Sequence, residues 1–296
     1  MAFLSARSAM RAQALHPNGE PHAVLSSASA GAEDDGIRTL TLNRPAARNA
    51  ISRRMLDELL EAVKQVRFDR QARALIIRTS APGVAFCAGA DLKERRKFSP
   101  AQVDVFLADL RTAFSGIERL PVPTIAAIDG LAMGGGMELA LCADLRIASE
   151  DVKGLGLTET KLGIIPGAGG TQRMTRLLGP SRTKDLIYTA RLLTAAQAHN
   201  LGLVDYLASA NSDNNSDDVQ CGSAYNKALE IAQQIAKNGP LAVRAAKLAI
   251  DKGQAMDTET GLDFERACYN TVMHTKDRLE GLKAFAEKRA PKYIGE

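Results

Sequence analysis

Apolar positions change period along the chain, and the change marks out its elements. From Ile37 to Leu42 (IRTLTL) the pattern is that of a short strand, closed by the turn residues Asn43-Arg44-Pro45. Beyond Ser52, the residues Met55, Leu59, Ala62, Val63 and Val66 recur at i, i+4, i+7, i+8 and i+11, one face of a helix. A second strand is expected from Arg73 to Thr79, then a Gly-containing turn, a helix from about Pro100 to Arg119, and a strand from Thr124 to Asp129. Glycines, a further helix and a strand from Asp144 to Ser149 follow. Such alternation specifies an α/β fold.

After Val204 strand signals give way to four helical stretches, roughly Ala224 to Lys237, Pro240 to Lys252, Thr258 to His274 and Lys276 to Lys288. The sequence divides accordingly into residues 1–33 outside the fold, 34–205 as an α/β core, 206–222 as a flexible acidic loop and 223–296 as a helical C-terminal region. The loop (ASANSDNNSDDVQCG from Ala208) has almost no large apolar residue to bury and is expected to take no part in catalysis.

With 296 residues, 45% apolar and 24% charged, the chain can bury a full core, which excludes a disordered polymer. A net charge of +4, from 38 basic and 34 acidic residues, is too mild to require nucleic acid, although it suits an anionic small molecule. The long apolar stretch from Leu131 to Leu145 is broken by three glycines, Glu138 and Asp144, well short of the ~20 residues of a membrane span. Cys87, Cys142, Cys221 and Cys268 show no paired spacing and are expected to be reduced. The first 19 residues carry Arg7, Arg11, two serines, many alanines and no acid, the composition of a mitochondrial (matrix) transit peptide. An unstructured tail of a cytosolic or peroxisomal protein is the alternative, although the C-terminal Ile294-Gly295-Glu296 is not a peroxisomal Ser-Lys-Leu address.

Common catalytic constellations fall away in turn. His16 and His22 lie in the tail, His199 and His274 stand singly, and no metal centre is expected. There is no Gly-x-Ser-x-Gly elbow. The Gly167-Ala168-Gly169-Gly170-Thr171-Gln172 run fits neither a dinucleotide fingerprint nor a P-loop.

What remains is a strand followed by Leu131-Ala132-Met133-Gly134-Gly135-Gly136-Met137-Glu138-Leu139. Three glycines at a helix start cost backbone entropy, so something must approach that backbone closely. Bare amides at a helix N-terminus suit negative charge, including an oxyanion that develops during a reaction. A second turn of small residues, Ala85-Phe86-Cys87-Ala88-Gly89-Ala90-Asp91-Leu92-Lys93, could bring another amide to the same oxygen. Glu138 either complements the helix dipole or does proton chemistry, and Glu159, among threonines, is either solvated or its partner in paired acid and base work.

These ordered motifs, with Gly163-Ile164-Ile165-Pro166-Gly167-Ala168-Gly169-Gly170-Thr171-Gln172-Arg173, resemble the enoyl-CoA hydratase/isomerase (crotonase) family from about Ile37 to Glu296. Three segments (Phe86 to Arg95, Leu120 to Ala132 and Thr275 to Leu282) are most similar to the members that hydrate 3-methylglutaconyl-CoA in leucine breakdown. The resemblance implies a spiral of repeated ββα units with a helical C-terminal oligomerisation region, and a homotrimer or homohexamer. It implies a hydro-lyase acting on an acyl-CoA thioester, with CoA carried by the substrate and no separate cofactor. The amides of Ala90 and Gly135 would grip the thioester oxygen; Glu138 would deprotonate water for attack at Cβ, and Glu159 would exchange the proton at Cα. CoA would lie along Ala88, Gly89, Ala90, Asp91, Leu92 and Lys93, with Arg48 a further cation for its phosphates.

Phe285 and Lys288 would reach the adenine of CoA bound to a neighbouring subunit, although core packing for Phe285 and simple solvation for Lys93 are the plainer readings. An enoyl-CoA isomerase or acyl-CoA hydrolase of the same fold is the nearest alternative. An RNA-binding module is the alternative from another class, since one branch of the family binds RNA through the helix that corresponds to Ser52 to Arg70. Here Asp57, Glu58 and Glu61 interrupt the basic face formed by Arg53, Arg54, Lys64, Arg67 and Arg70, so strong RNA binding is not expected.

Overall fold

Residues 19–28, 35–209 and 222–296 are described by the computed structural model. Nine strands occur among them: β1 (Ala23–Ser27), β2 (Ile37–Leu42), β3 (Ala74–Thr79), β4 (Ala85–Cys87), β5 (Thr124–Ile128), β6 (Leu131–Met133), β7 (Leu145–Ser149), β8 (Leu155–Gly156) and β9 (Tyr206–Ala208). They form a six-stranded sheet of order β1-β2-β3-β5-β7-β9 and a three-stranded sheet of order β4-β6-β8. All neighbours run parallel except β1 and β2.

The chain alternates between the sheets. β3 then β4 leads to helix Pro100–Glu118, β5 then β6 to helix Gly135–Ala140, and β7 then β8 to the turn Glu159–Leu162 and helix Gly170–Leu178. This is the spiral of ββα units expected from the resemblance. Parallel strands must be covered on both faces. Leu75, Ile77, Ala126, Ile128 and Ala148 enter the main core, which also takes in the first helix. Ile76, Ile125, Ala127 and Ile147 pack with Ala224, Tyr225, Ala228 and Ala232 of helix Ser223–Ala236.

The first helix, Arg53–Phe68, starts where expected: Ser52 Oγ accepts from the Met55 amide at 3.2 Å. Its five periodic apolar residues are all buried, each stabilising by roughly 1.5–3 kcal/mol for the larger side chains, which outweighs the few tenths that valine costs a helix. Helix Pro100–Glu118 opens on a capping box between Ser99 and Gln102.

Two expectations need correction. Residues 1–33 do not all lie outside the fold, because β1 pairs with β2, with Ala23 opposite Leu42. The His22 and Ala23 amides each donate to Glu58 Oε2 at 2.7 Å, which explains why a carboxylate is buried in the first helix. The core also continues past residue 205: β9 joins β7, and helix Ser223–Ala236 covers the large sheet instead of belonging to a separate region. The fold also has helices at Pro180–Thr189 and at Ala195–Leu201, the second of which carries His199. The remainder of the acidic loop, 210–221, lies outside the described residues, as does Cys221, whereas Cys87, Cys142 and Cys268 are buried free thiols.

The last helices, Pro240–Gly253, Thr258–Val272 and Lys276–Ala286, match expectation closely, although the third stops before Lys288. They bury few of their own residues, and leave Ile250, Leu262, Tyr269, Leu279, Leu282 and Phe285 exposed.

Candidate active site

The small sheet gathers the site. β4, β6 and β8 run parallel, so their carboxyl ends lie on one side, and these ends lead into Ala88-Gly89-Ala90, Gly134-Gly135-Gly136 and Leu157-Thr158-Glu159. The ladder is extended by the Gly134 amide donating to the Gly156 carbonyl at 2.9 Å. Crevices at the carboxyl ends of parallel strands are where α/β folds bind ligands.

Each of the three glycines has its own reason. Gly134 has φ +52°, and a Cβ there would stand 3.2 Å from Glu159 Oε1. A Cβ on Gly136 would lie 2.0 Å from the Cys87 carbonyl oxygen, a clash with backbone that no rotamer relieves. At Gly135 the same atom would meet the Ala90 amide nitrogen at 3.6 Å, and one on Gly89 would stand 3.2 Å from the Gly135 nitrogen. The Ala90 and Gly135 amides are thus close neighbours from two strand ends. Among the described residues neither donates to a backbone acceptor. Two uncommitted donors side by side suit an oxyanion.

The turn before Ala90 is locked from behind. Ala88 donates to the Arg48 carbonyl at 3.0 Å, Ile51 to the Gly89 carbonyl at 2.8 Å, and Asp91 to the Ile51 carbonyl at 3.0 Å. Asn49, fully buried and in the left-handed region at φ +53°, donates through Nδ2 to the Ala85 and Phe86 carbonyls at 3.2 and 3.0 Å.

Asp91 caps helix Leu92–Arg95 by accepting from the Lys93 and Glu94 amides, and pairs with Arg44 at 2.7 Å. Burial pushes its carboxyl up, but Arg44 and these amides outweigh that and hold it below the usual range. Its oxygens thus tie the short helix to Arg44. Leu92, Lys93 and Arg48 are exposed beside the turn.

The two carboxylates differ in surroundings. Glu138 is buried, and its Oε1 accepts from the amides of Ala168 and Gly170, both at 2.8 Å. Burial raises its pKa, and those amides and Arg173 work against the rise. Glu159, read from sequence as solvated or catalytic, is largely shielded, and its Oε2 is a buried oxygen to which no described residue donates. Burial first, then the charge of Glu138, raises its pKa to about 7. Both carboxyls are thus raised by burial, but only Glu138 has amides and a cation working against the rise, while Glu159 is close to half protonated at neutral pH, a difference in surroundings suited to paired base and acid chemistry.

Phe285 and Lys288 do not join this cluster. Phe285 is 86% exposed, which excludes core packing, and Lys288 is an exposed residue at φ +54° beyond the helix end. Sequence reading missed Ala168 and Gly170, whose backbone donors leave no side-chain signature; the one available signal was their glycine-rich run. Asn49 was missed as well, although an Asn just after a Pro turn is a known candidate for positive φ.

Two uncommitted backbone amides set beside two buried carboxyls would suit an enzyme that polarises a carbonyl and moves protons next to it. The chain belongs to the enoyl-CoA hydratase/isomerase family, whose model matches residues 32–296. Methylglutaconyl-CoA hydratase, mitochondrial, of Mus musculus is 48% identical over 264 residues, spanning 89% of this chain and 81% of that protein. The probable enoyl-CoA hydratase 2, mitochondrial, of Arabidopsis thaliana is 50% identical over 262 residues, 88% of this chain and 83% of that protein. The crystal structure of enoyl-CoA hydratase from Bacillus anthracis superposes with a TM-score of 0.85 at 45% identity, over 93% of this chain and all of that one.

Proposed function

We propose that the protein adds water to a short or branched 2-enoyl-CoA, and removes it in reverse. The observation that carries the reading is the unpartnered, buried Glu159 Oε2 beside Gly134, with Glu138 pinned by two amides on the same helix start. The thioester oxygen accepts from the Ala90 and Gly135 amides, which polarises the double bond. Glu138 takes a proton from water as its oxygen bonds to Cβ, and protonated Glu159 delivers a proton to Cα. The π bond and one O–H bond are replaced by C–O and C–H bonds. The carboxyls finish with their protonation exchanged, and return through water. No metal, redox group or further cofactor enters this scheme.

Binding follows from the surface beside the cradle. Lys93, with Arg48, offers positive charge to the CoA phosphates as the chain passes Ala88 and Gly89. The exposed apolar residues of the last helices support assembly into trimers or hexamers, in which Phe285 and Lys288 would meet CoA held by a neighbour. Relatives named mitochondrial, with the acid-free N-terminal sequence, support a mitochondrial address. Among the described residues no helix is long and apolar enough to cross a membrane.

RNA binding is disfavoured by the pairing of the first helix's cations: Arg53 bonds Asp57 of the same helix and Asp109 of helix Pro100–Glu118, and Arg54 bonds Glu58, so these cations are partly neutralised before any phosphate arrives. The isomerase or hydrolase reading is disfavoured by the presence of both carboxylates, Glu138 and Glu159, at the site.

The test is a steady-state panel comparing crotonyl-CoA with 3-methylglutaconyl-CoA, run on the wild type, Glu138→Ala and Glu159→Ala. Hydration lost in both variants supports the reading. Unimpaired hydration in either sinks it, and preference for the branched acidic substrate would assign the acyl group.

A further inference from the structure

Glu138 is held by a turn, and that turn is itself held. Ala168 faces two ways: its amide donates to Glu138 Oε1 and its carbonyl accepts from Arg173 Nη1, both at 2.8 Å. The remaining edge of the guanidinium grips Glu118, with Nε to Oε1 at 3.1 Å and Nη2 to Oε2 at 2.8 Å. Glu118 ends helix Pro100–Glu118, which is anchored in the core by Phe106, Leu110, Phe114 and Ile117. A rigid helix is therefore connected, through one forked cation, to the turn behind Glu138.

The turn is shaped to admit that cation. Gly169 sits at φ +106°, and a Cβ there would lie 2.2 Å from Arg173 Nη1. Ala168, Gly169 and Gly170 thus have separate tasks: the first and third donate to Glu138, and the second clears space for Arg173. A lysine could supply the charge but not two parallel bonds to Glu118 with a third to the Ala168 carbonyl.

We infer that Arg173 is the positioning residue for Glu138, fixing through Ala168 the turn whose amides hold the carboxylate, and placing positive charge on the side of the proton-accepting group. The inference rests on Glu138 being the base of the hydration reaction. Arg173 touches no reacting atom; it acts through Ala168 and through its field. The charged and titratable groups around Glu138 are Arg173 on helix Gly170–Leu178, Glu118 behind it, Glu159 from the turn after β8, and Cys142 just past the end of Glu138's own helix, whose thiol burial keeps neutral. Arg173 is the only cation among these. Its loss makes proton binding to Glu138 easier, so the base is silenced at a higher pH.

The experiment is the pH dependence of kcat/KM for hydration of crotonyl-CoA by wild type, Arg173→Gln, Arg173→Lys and Glu118→Gln, with kcat and KM resolved at each pH. Arg173→Gln is expected to lower kcat by about tenfold or more with little change in KM, as misplaced catalytic groups do. Its acid limb should move upward by on the order of half to one unit. Arg173→Lys keeps the charge and should lose rate while the acid limb stays near its wild-type position. Glu118→Gln leaves the cation unneutralised, and should move the limb downward.

A rate loss in Arg173→Gln with an unmoved acid limb would overturn the inference, because any packing defect can slow turnover. If that variant fails to fold, Glu118→Gln decides: a downward displacement supports the role and an unmoved limb overturns it. A wild type that hydrates no enoyl-CoA defeats the hydratase reading itself. An active wild type that depends on Glu138 but shows unmoved limbs defeats only the role of Arg173.

Discussion

Glu159 is where function should cost the fold most, and Glu159→Gln measures that cost. Its carboxyl moves from a reference value of 4.5 to about 7 because burial, aided by Glu138, penalises the charge. The folded state therefore holds the proton more tightly than the unfolded chain. The associated stability is fully present below pH 4.5 and is lost as pH rises through about 7. A shift of this size corresponds to about 3 kcal/mol, reduced to about 2 kcal/mol because the side chain retains some access to solvent.

Gln keeps the shape and cannot ionise. Urea unfolding at about pH 5 should find the variant and the wild type within about 1 kcal/mol, whereas at about pH 8.5 the variant should be more stable by about 2 kcal/mol. Hydration should fall by roughly 10²–10⁴-fold at the same time. A stability difference independent of pH would refute the reasoning, since it would mean that the folded protein does not penalise the charge at residue 159.

Three further outcomes follow from other contacts. kcat/KM for hydration should decline as pH rises through about 7, because the ionised Glu159 has no proton for Cα; a flat alkaline limb up to pH 9 would assign the acid elsewhere. Gly136→Ala should destabilise the protein by more than ~3 kcal/mol in urea, because its methyl would meet backbone at Cys87 and not a movable side chain. Asp129→Ala removes the carboxylate that accepts from the Ala224 and Tyr225 amides at 2.8 and 3.0 Å, and should cost about 1–2 kcal/mol, read by thermal melting.

Elements that bury their own stripe were readable in advance. Helix Arg53–Phe68 showed its period, its Ser52 cap and its buried face in one stretch of sequence. Strand β1 did not, because Ala23–Ser27 has three apolar residues followed by serines, and becomes a strand only because the β2 edge and Glu58 satisfy its backbone. The glycine triplet announced a close approach, but which glycine serves a positive φ, which a neighbouring amide and which a carbonyl clash depends on segments some 50 residues upstream and 20 downstream.

Glu159 was the hardest to read. Its threonine neighbours describe a polar loop, and its burial and raised pKa arise from Glu138 and the surrounding fold. Arg173 stood in plain view within the family motif, yet its meaning required knowing that Ala168 turns its carbonyl toward it.

In the proposed reaction the thioester grip belongs to the main chain, at a residue that is already alanine and at one with no side chain. An alanine scan of this protein would therefore pass over Ala90 without a mark and, at Gly135, would report crowding and not the loss of a donor. Amide-to-ester replacement in a semisynthetic chain, at residue 90 or 135, removes the N–H alone. The residues proposed to polarise the substrate are thus accessible to backbone chemistry, while ordinary codon changes can test only the walls around them.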